Sequence, residues 1–252
     1  MTAPEETPLL EVRRLSKRFG GVLASDGIDL QVRRGEVHAL IGPNGAGKTT
    51  LVAQLAGQLA PDSGRIVFDG IDITAWGAHQ RARSGLARSF QITRLFKSFT
   101  VLEQLALALQ AATGASWGAW QPLSSDRSLW QRAHSQLSAL GLVDRADAWV
   151  DTLSHGQRRA LEVGMALAAT PRLVLLDEPM AGMGPEESVR MEALIAELAQ
   201  HTTVLLIEHD VDAVFRLAHR VSVLAGGRII ASATPADVRR DTQVIAAYLG
   251  QE

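Results

Sequence analysis

Short apolar stretches separated by turn residues dominate the first third of the chain. Residues 9–14, 27–32 and 37–41 are predicted strands, because β-branched and other apolar residues recur there between glycines. Residues 64–73 are predicted to form a hairpin with an Asp-Gly turn. The first predicted helix covers residues 48–57.

The pattern changes to helical spacing after residue 93 and later to alternating helices and strands. Helices are predicted at 102–112, 129–140, 158–169, 186–200 and 211–218, and strands at 173–176, 203–207, 221–224 and 228–231. This alternation predicts an α/β fold. Its α/β core would comprise residues 9–92 and 161–232, with a helical insertion at 93–160 and a C-terminal helix at 233–250.

Composition narrows the class of protein. Of the 252 residues, 46% are hydrophobic and 21% are charged, which is typical of a folded chain. The net charge of −2 disfavours a dedicated nucleic-acid binder. The absence of cysteine excludes disulfides, thiol catalysis and thiolate metal sites. No apolar run approaches the roughly 18 residues needed to span a bilayer, so we expect any membrane role to come through a partner.

A glycine-rich segment between the strand at 37–41 and the helix at 48–57 matches the phosphate-binding pattern G-x-x-x-x-G-K-[ST]. It reads Gly42-Pro43-Asn44-Gly45-Ala46-Gly47-Lys48-Thr49. Glycines let consecutive backbone N–H groups converge on a phosphate, and the start of the helix adds its positive end. Lys48 would bind the β- and γ-phosphates, Thr49 would ligate Mg²⁺, and Thr50 would reach the α-phosphate. A chance match is the alternative, but the flanking strand and helix favour a site for MgATP.

The apolar strand at 173–176 runs into two carboxylates, Asp177 and Glu178. A carboxylate at the end of a buried strand is suited to lie beside the metal of a phosphate site, which is the role predicted for Asp177. Glu178 would then orient or deprotonate the attacking water. Asp-Glu-Pro is also an ordinary way to end a strand before a turn, but the phosphate-binding segment upstream favours the catalytic interpretation.

The sequence Leu153-Ser154-His155-Gly156-Gln157 precedes a predicted helix. One interpretation is a capping box, in which Ser154 and Gln157 cap the helix reciprocally. The other is an anion site, because a helix start with a serine hydroxyl and an adjacent glycine binds phosphate well. The anion would be the γ-phosphate of ATP held by another subunit.

Taken in this order, the phosphate-binding segment, the LS-x-GQ sequence and the Asp-Glu strand end resemble the ABC-transporter ATPase family. The resemblance extends over residues 9–249. It implies a single ABC ATP-binding domain, residues 9–250, with a P-loop NTPase core, an antiparallel β subdomain and a helical insertion. Two other classes of P-loop protein fit less well, because the chain lacks the NKxD sequence of GTPases and kinases lack the LS-x-GQ sequence.

The resemblance also implies roles for three further residues. Phe19 stands where the family stacks an aromatic side chain, usually tyrosine, on adenine. Gln91 matches a glutamine that ligates Mg²⁺ together with Thr49 and Asp177 and senses the membrane partner. His209 matches a histidine that contacts the γ-phosphate and orients Glu178.

ABC ATPases of this kind imply partners. A second ATP-binding subunit, identical or different, would complete a head-to-tail dimer in which ATP at Lys48 faces Ser154, Gly156 and Gln157 of the other subunit. Catalysis would involve Glu178, His209 and Lys48. The helices after Gln91 would transmit closure to transmembrane permease subunits, so that the chain would act at the cytoplasmic face of a bacterial inner membrane and touch the membrane only through the permease.

Two departures from the usual family pattern, His155 and Gly184, replace a glycine and an aspartate respectively. Both residues match the ATPases of importers for branched-chain and other hydrophobic amino acids. Residues 87–103 and the ending at 234–250 are also similar to that branch. Importers of urea or short amides share the pattern and remain an alternative. An ABC ATPase acting on nucleic acid is a more distant one, because it would carry long coiled coils or duplicated cassettes.

Overall fold

The computed structural model describes residues 7–89, 95–113 and 126–249, and this part of the chain contains two β-sheets. The smaller sheet is formed by β1 (Leu10–Phe19), β2 (Val22–Val32), β4 (Ser63–Phe68) and β5 (Ile71–Asp72). Its strand order is β2-β1-β4-β5, and all neighbouring strands are antiparallel.

The larger sheet is formed by β3 (Val37–Ile41), β6 (Leu86–Arg88), β7 (Leu173–Asp177), β8 (Thr203–Ile207), β9 (Arg220–Ala225) and β10 (Arg228–Ala233). The order is β10-β9-β3-β8-β7-β6; only β10 runs antiparallel to its neighbour. Every residue of β3, β7 and β8 is buried, as expected of parallel strands covered on both faces. Because these three strands are parallel, the segments that follow them meet at one edge of the sheet.

The described helices are α1 (Lys48–Leu55), α2 (Ala78–Arg83), α3 (Val101–Ala112), α4 (Arg127–Ala139), α5 (His155–Leu167), α6 (Pro185–Leu198), α7 (Val211–Leu217), α8 (Pro235–Val238) and α9 (Thr242–Leu249). Two short 3-10 turns, Val143–Arg145 and Val150–Thr152, lead into α5. The alternation of strands and helices confirms the predicted α/β class. No helix in these ranges is both long enough and apolar enough to cross a membrane.

Successive residues of the central strands face two different apolar clusters. Leu173 and Leu175 pack with Leu51 and Leu55 of α1 and with the antiparallel sheet, which places α1 between the two sheets. Val174 and Leu176 face the other way, toward the cluster formed by α3 to α6. The side-chain period of two along a strand therefore builds both layers from the same strands.

A buried arginine fixes the end of α1. Arg81 Nη1 donates hydrogen bonds to Gln54 O at 2.7 Å and Leu55 O at 2.8 Å, two of the last carbonyls of the helix. Its guanidinium is surrounded by protein rather than water, and burial lowers the pKa of Arg81 to about 10. The helix that carries Lys48 is thus anchored at the end remote from the phosphate loop.

The observed elements differ from the predicted ones in three places. β1 and β2 extend beyond residues 9–14 and 27–32 to meet near residue 20, since register shifts and polar residues break the alternation that the prediction relied on. In the segment 78–88, neither α2 nor β6 was predicted, because six and three residues are too few for a periodic signal.

The third difference is the tail. The predicted helix at 233–250 is divided into α8 and α9, and Ala233 belongs to β10. Asp241 causes the break, because its side chain accepts hydrogen bonds from Gln243 N at 2.8 Å and Val244 N at 3.4 Å and so starts a new helix.

Candidate nucleotide site

The glycine-rich loop connects the carboxyl end of β3 to the start of α1. Two of its glycines are required by close backbone contacts: a Cβ on Gly42 would lie 2.1 Å from Leu224 O, and one on Gly47 would lie 2.2 Å from Ala24 O. Gly47 also has φ of 104°, a conformation that other residues avoid. It is the N-cap of α1 and supplies no side-chain acceptor, so the first N–H groups of the helix are free of a side-chain cap. Such a loop suits an anion.

Lys48 is folded back over this loop. Its Nζ donates to Gly42 O at 2.6 Å and to Pro43 O at 3.0 Å. Burial lowers the pKa of Lys48, while the nearby carboxylates of Glu178 and Asp177 raise it. The ends of β3 and β7 therefore bring Lys48, Asp177 and Glu178 together. The predicted phosphate site requires this arrangement.

Asp177 ends β7 and is only 4% exposed. Its Oδ2 accepts a hydrogen bond from Arg88 Nη2 at 2.6 Å, an ion pair that is almost wholly buried. Arg88 Nη1 also donates to Gln58 Oε1, just after α1, while Arg88 Nε has no partner. Arg88 thus joins the end of the phosphate-loop helix to the strand end that carries Asp177.

The backbone at Glu178 is held in an uncommon conformation. Its φ is 48°, which non-glycine residues adopt rarely and mostly at functional sites. Glu178 N donates to Ile207 O at 2.8 Å. Arg159 Nη2 of α5 donates to the carbonyls of Asp177 at 2.9 Å and Glu178 at 3.1 Å. These bonds fix the direction in which the half-buried Glu178 leaves the strand.

The segment after β8 contributes one buried and one exposed side chain. Glu208 is fully buried, and its Oε1 accepts from Met180 N at 2.9 Å. Burial raises the pKa of Glu208, although the N–H groups of Met180 and His209 oppose the shift. His209 is 61% exposed, with Nδ1 3.6 Å from Glu208 Oε2. Glu208 therefore positions the turn from which His209 projects.

The start of α5 has the geometry of a capping box and more. Ser154 Oγ accepts from Gln157 N at 3.2 Å, and Gln157 Oε1 accepts from Ser154 N at 3.0 Å. In addition, Ser154 Oγ donates to Glu187 Oε1 at 2.8 Å, and His155 Nε2 donates to Ala181 O at 2.9 Å. The structure therefore contains the predicted capping box. The Ser154 hydroxyl accepts one hydrogen bond within the box and donates another outside it.

The remaining candidates lie at the periphery. Phe19, at the end of β1, is 50% exposed, with Lys17 Nζ 5.9 Å from its ring centroid. Thr49 is exposed and Thr50 half-buried at the start of α1. Gln91 lies outside the described residues.

The predicted Mg²⁺ ligands can be tested against these contacts. Within the described ranges no cluster of three or more His, Asp or Glu side chains could hold a metal by itself. Mg²⁺ commonly takes one carboxylate and completes its shell with phosphate oxygens and water, however. Asp177 Oδ1, opposite the oxygen that faces Arg88, and the exposed Thr49 hydroxyl fit that pattern in the presence of a nucleotide.

Four residues around the site were not predicted: Arg88, Arg159, Glu187 and Glu208. Their contacts join elements far apart in the sequence, so no local pattern identifies them. Of the four, only Glu208 could have been found from the sequence, because it is a charged residue directly after an apolar strand.

The chain is similar to known proteins over nearly its whole length. Its residues 25–181 match the model of the ABC transporter family, and residues 228–252 match that of the branched-chain amino acid ATP-binding cassette transporters. The high-affinity branched-chain amino acid transport ATP-binding proteins LivG of Salmonella typhimurium and BraF of Pseudomonas aeruginosa are each 39% identical, covering 97% of this chain and 98% of theirs. The crystal structure of an ATP-binding cassette of an ABC transporter in its ADP conformation superimposes with a TM-score of 0.86, at 32% identity over 97% of this chain and 100% of that one.

Proposed function

The chain belongs to the ABC transporter family as an ATP-binding subunit that hydrolyses ATP, and we propose that it powers the import of branched-chain or other hydrophobic amino acids. The observation that carries the substrate class is the match of residues 228–252 to the branched-chain amino acid cassette model. The relatives LivG and BraF, whose names state that transport, support it along the rest of the chain.

Within one subunit, the geometry supports the following roles for the residues of the site. The loop from Gly42 to Thr49 holds the phosphates, with Lys48 turning from the loop carbonyls to the β- and γ-phosphates. Mg²⁺ would be held by Thr49 and Asp177, and by Gln91, and would neutralise developing charge on the phosphates. Glu178 accepts a proton from the attacking water.

Two exposed side chains complete the proposed site. His209, which projects from the turn held by Glu208, contacts the γ-phosphate and keeps Glu178 oriented. Phe19 offers an exposed ring for the adenine.

The other half of each ATP site would come from a second ATP-binding subunit. Ser154, Gly156 and Gln157 begin a helix, and the serine hydroxyl is exposed at the surface. Their hydrogen bonds run to α5 and α6, whereas those of Lys48 run to its own loop. A head-to-tail dimer would bring the two halves together around ATP, and opening after hydrolysis would drive transmembrane permease subunits at the cytoplasmic face of the membrane.

Mixed dimers test this arrangement. Lys48→Ala and Ser154→Ala, each inactive as a homodimer, should recover part of the ATPase activity when mixed, because both lesions fall into one composite site and leave the other intact. A mixture as inactive as either variant shows either separate sites or a need for two intact ones. A covalently linked dimer of wild-type and double-mutant chains separates these explanations, since its two lesions damage both composite sites.

Uptake by cells tests the substrate class. Deleting the gene should abolish high-affinity uptake of labelled leucine, isoleucine and valine and leave uptake of urea and acetamide unchanged. The wild-type gene should restore uptake, and the Lys48→Ala gene should not. Loss of urea or amide uptake instead would favour the alternative importers.

A further inference from the structure

Glu187, the third residue of α6, places its carboxylate against the start of α5. Ser154 Oγ donates to Glu187 Oε1 at 2.8 Å. Gly156 lies under the same carboxylate, since a Cβ built there would be 2.6 Å from Glu187 Cδ and 2.8 and 3.0 Å from its two oxygens. The carboxylate therefore occupies the space over Ser154 and Gly156, the residues that the LS-x-GQ sequence offers to an anion.

The contact uses the single proton of the Ser154 hydroxyl. Ser154 Oγ already accepts a hydrogen bond from Gln157 N, and a serine has one O–H to donate, which here goes to Glu187. A phosphate oxygen bound by Ser154 requires that same proton. Because phosphate and carboxylate are both anions, they also repel each other at this distance.

We propose that Glu187 is a further residue of the ATP cycle, competing with the γ-phosphate of the partner's ATP for the hydroxyl of Ser154. The carboxylate weakens the ATP-bound dimer, and it favours reopening once the γ-phosphate has left, because the Ser154–Glu187 bond can then form again. This inference rests on the proposed function, since it requires ATP shared between two subunits.

A second contact lets Glu187 move aside without detaching the start of α5. His155 Nε2 donates to Ala181 O at 2.9 Å. Ala181 belongs to the segment that connects Glu178 to α6. The segment that leaves Glu178 is thus tied to α5 at His155 as well as at Ser154. Displacement of the Glu187 side chain by a phosphate breaks one of these ties and leaves the other.

The neighbouring residue supplies a matched control. Glu186 is also in the first turn of α6, where a negative charge is stabilised by the helix dipole. Its side chain is 90% exposed and lies 3.8 Å from Arg190, on a different side from Ser154. Glu186→Gln and Glu187→Gln remove the same charge from the same helix turn, but only Glu187→Gln alters the contact with Ser154.

The experiment measures the dimer dissociation constant of the full chain by sedimentation velocity, with MgATP and with Glu178→Gln in every protein to prevent hydrolysis. Glu187→Gln should tighten the dimer about tenfold, the effect of one charge-assisted hydrogen bond. Glu186→Gln should change it less than about twofold. In a Ser154→Ala background, Glu187→Gln should not tighten the dimer, because the hydroxyl proton for which Glu187 and the γ-phosphate compete is absent. A loss of packing alone would weaken the dimer rather than strengthen it.

The outcomes separate the two levels of inference. If the reference protein forms no ATP-dependent dimer, the composite site of the proposed function is wrong, and the role of Glu187 falls with it. If it does dimerise, and Glu187→Gln leaves the dimer unchanged or weaker, or Glu186→Gln tightens it equally, the role of Glu187 is overturned and the composite site stands. If Glu187→Gln does not fold, Glu187→Asp decides, since its shorter side chain keeps the charge but loses reach and should tighten the dimer by a smaller factor.

Discussion

The strand ends and the start of α5 provide the two halves of the proposed ATP site, and they are stabilised in different ways. At the strand ends, Asp177 and Glu208 are buried and are held by Arg88 and by backbone N–H groups. At the start of α5, Ser154 is exposed, and its hydroxyl is bonded to Glu187, a side chain of the neighbouring helix.

This difference indicates how rigidly each half of the proposed site is held before nucleotide binds. A buried carboxylate needs a fixed partner, because the protein interior does not solvate it, so the strand-end half is rigid before nucleotide arrives. An exposed hydroxyl has no such requirement and can exchange one oxyanion for another at small energetic cost. We therefore expect changes at the strand ends to affect chemistry and folding strongly, and changes at α5 to affect mainly association.

Glu178→Gln should have the largest effect. The amide is nearly isosteric but cannot take a proton, so ATP hydrolysis should fall by roughly 10²–10⁴-fold while ATP binding persists. Steady-state phosphate release and calorimetric ATP titration measure the two properties separately. Turnover equal to that of an exposed control, Glu186→Gln, would show that Glu178 is not the base.

Arg88→Met tests the rigidity of the strand-end half. It leaves Asp177 buried without its counter-charge, which should lower the free energy of unfolding by about 3–5 kcal/mol in urea titrations. Arg13→Met removes an arginine from the exposed ion pair with Glu11 and should leave the unfolding midpoint unchanged. Equal losses in both variants would contradict the difference between buried and exposed pairs.

Ser154→Ala tests the other half and has a matched control in Thr100. Both side chains cap a helix through the same reciprocal pattern, with Gln157 and Glu103 as partners. Each alanine variant should lose about 0.5–2 kcal/mol of stability. Only Ser154→Ala should also weaken the ATP-dependent dimer; if Thr100→Ala weakens it as much, Ser154 is merely a cap.

The smallest expected effect is a pH dependence at Glu208. Burial raises the pKa of Glu208 in the folded protein, so the folded state binds a proton more readily than the unfolded state. Its contribution to stability is therefore fully present below its ordinary pKa and is lost as the pH rises through the raised value, with a slope of at most about 1.4 kcal/mol per pH unit. Unfolding curves at several pH values should show this slope in the wild type and a reduced slope in Glu208→Gln. An unchanged slope in the variant would assign it to another group.

The phosphate loop, the Asp177-Glu178 strand end and the LS-x-GQ helix start could be predicted because each is a contiguous pattern with a local physical cause. Glycines are needed where the chain passes a carbonyl, an apolar strand ends in a carboxylate, and a serine caps a helix. The ranges of β3, β8 and the start of α1 followed from the same local rules. The family and the α/β class were predicted correctly from these patterns.

The amino-acid sequence by itself thus determined which segments form the proposed site and which residue types they present. Only the tertiary structure decided the hydrogen-bond partners of these segments: Arg88 for Asp177, Arg159 for the backbone at Glu178, and Glu187 for Ser154. These pairs are 89, 19 and 33 residues apart in the chain. Side-chain periodicity reports which face of an element is buried, but it carries no information on which distant face lies opposite; that is fixed when the sheet and helices pack.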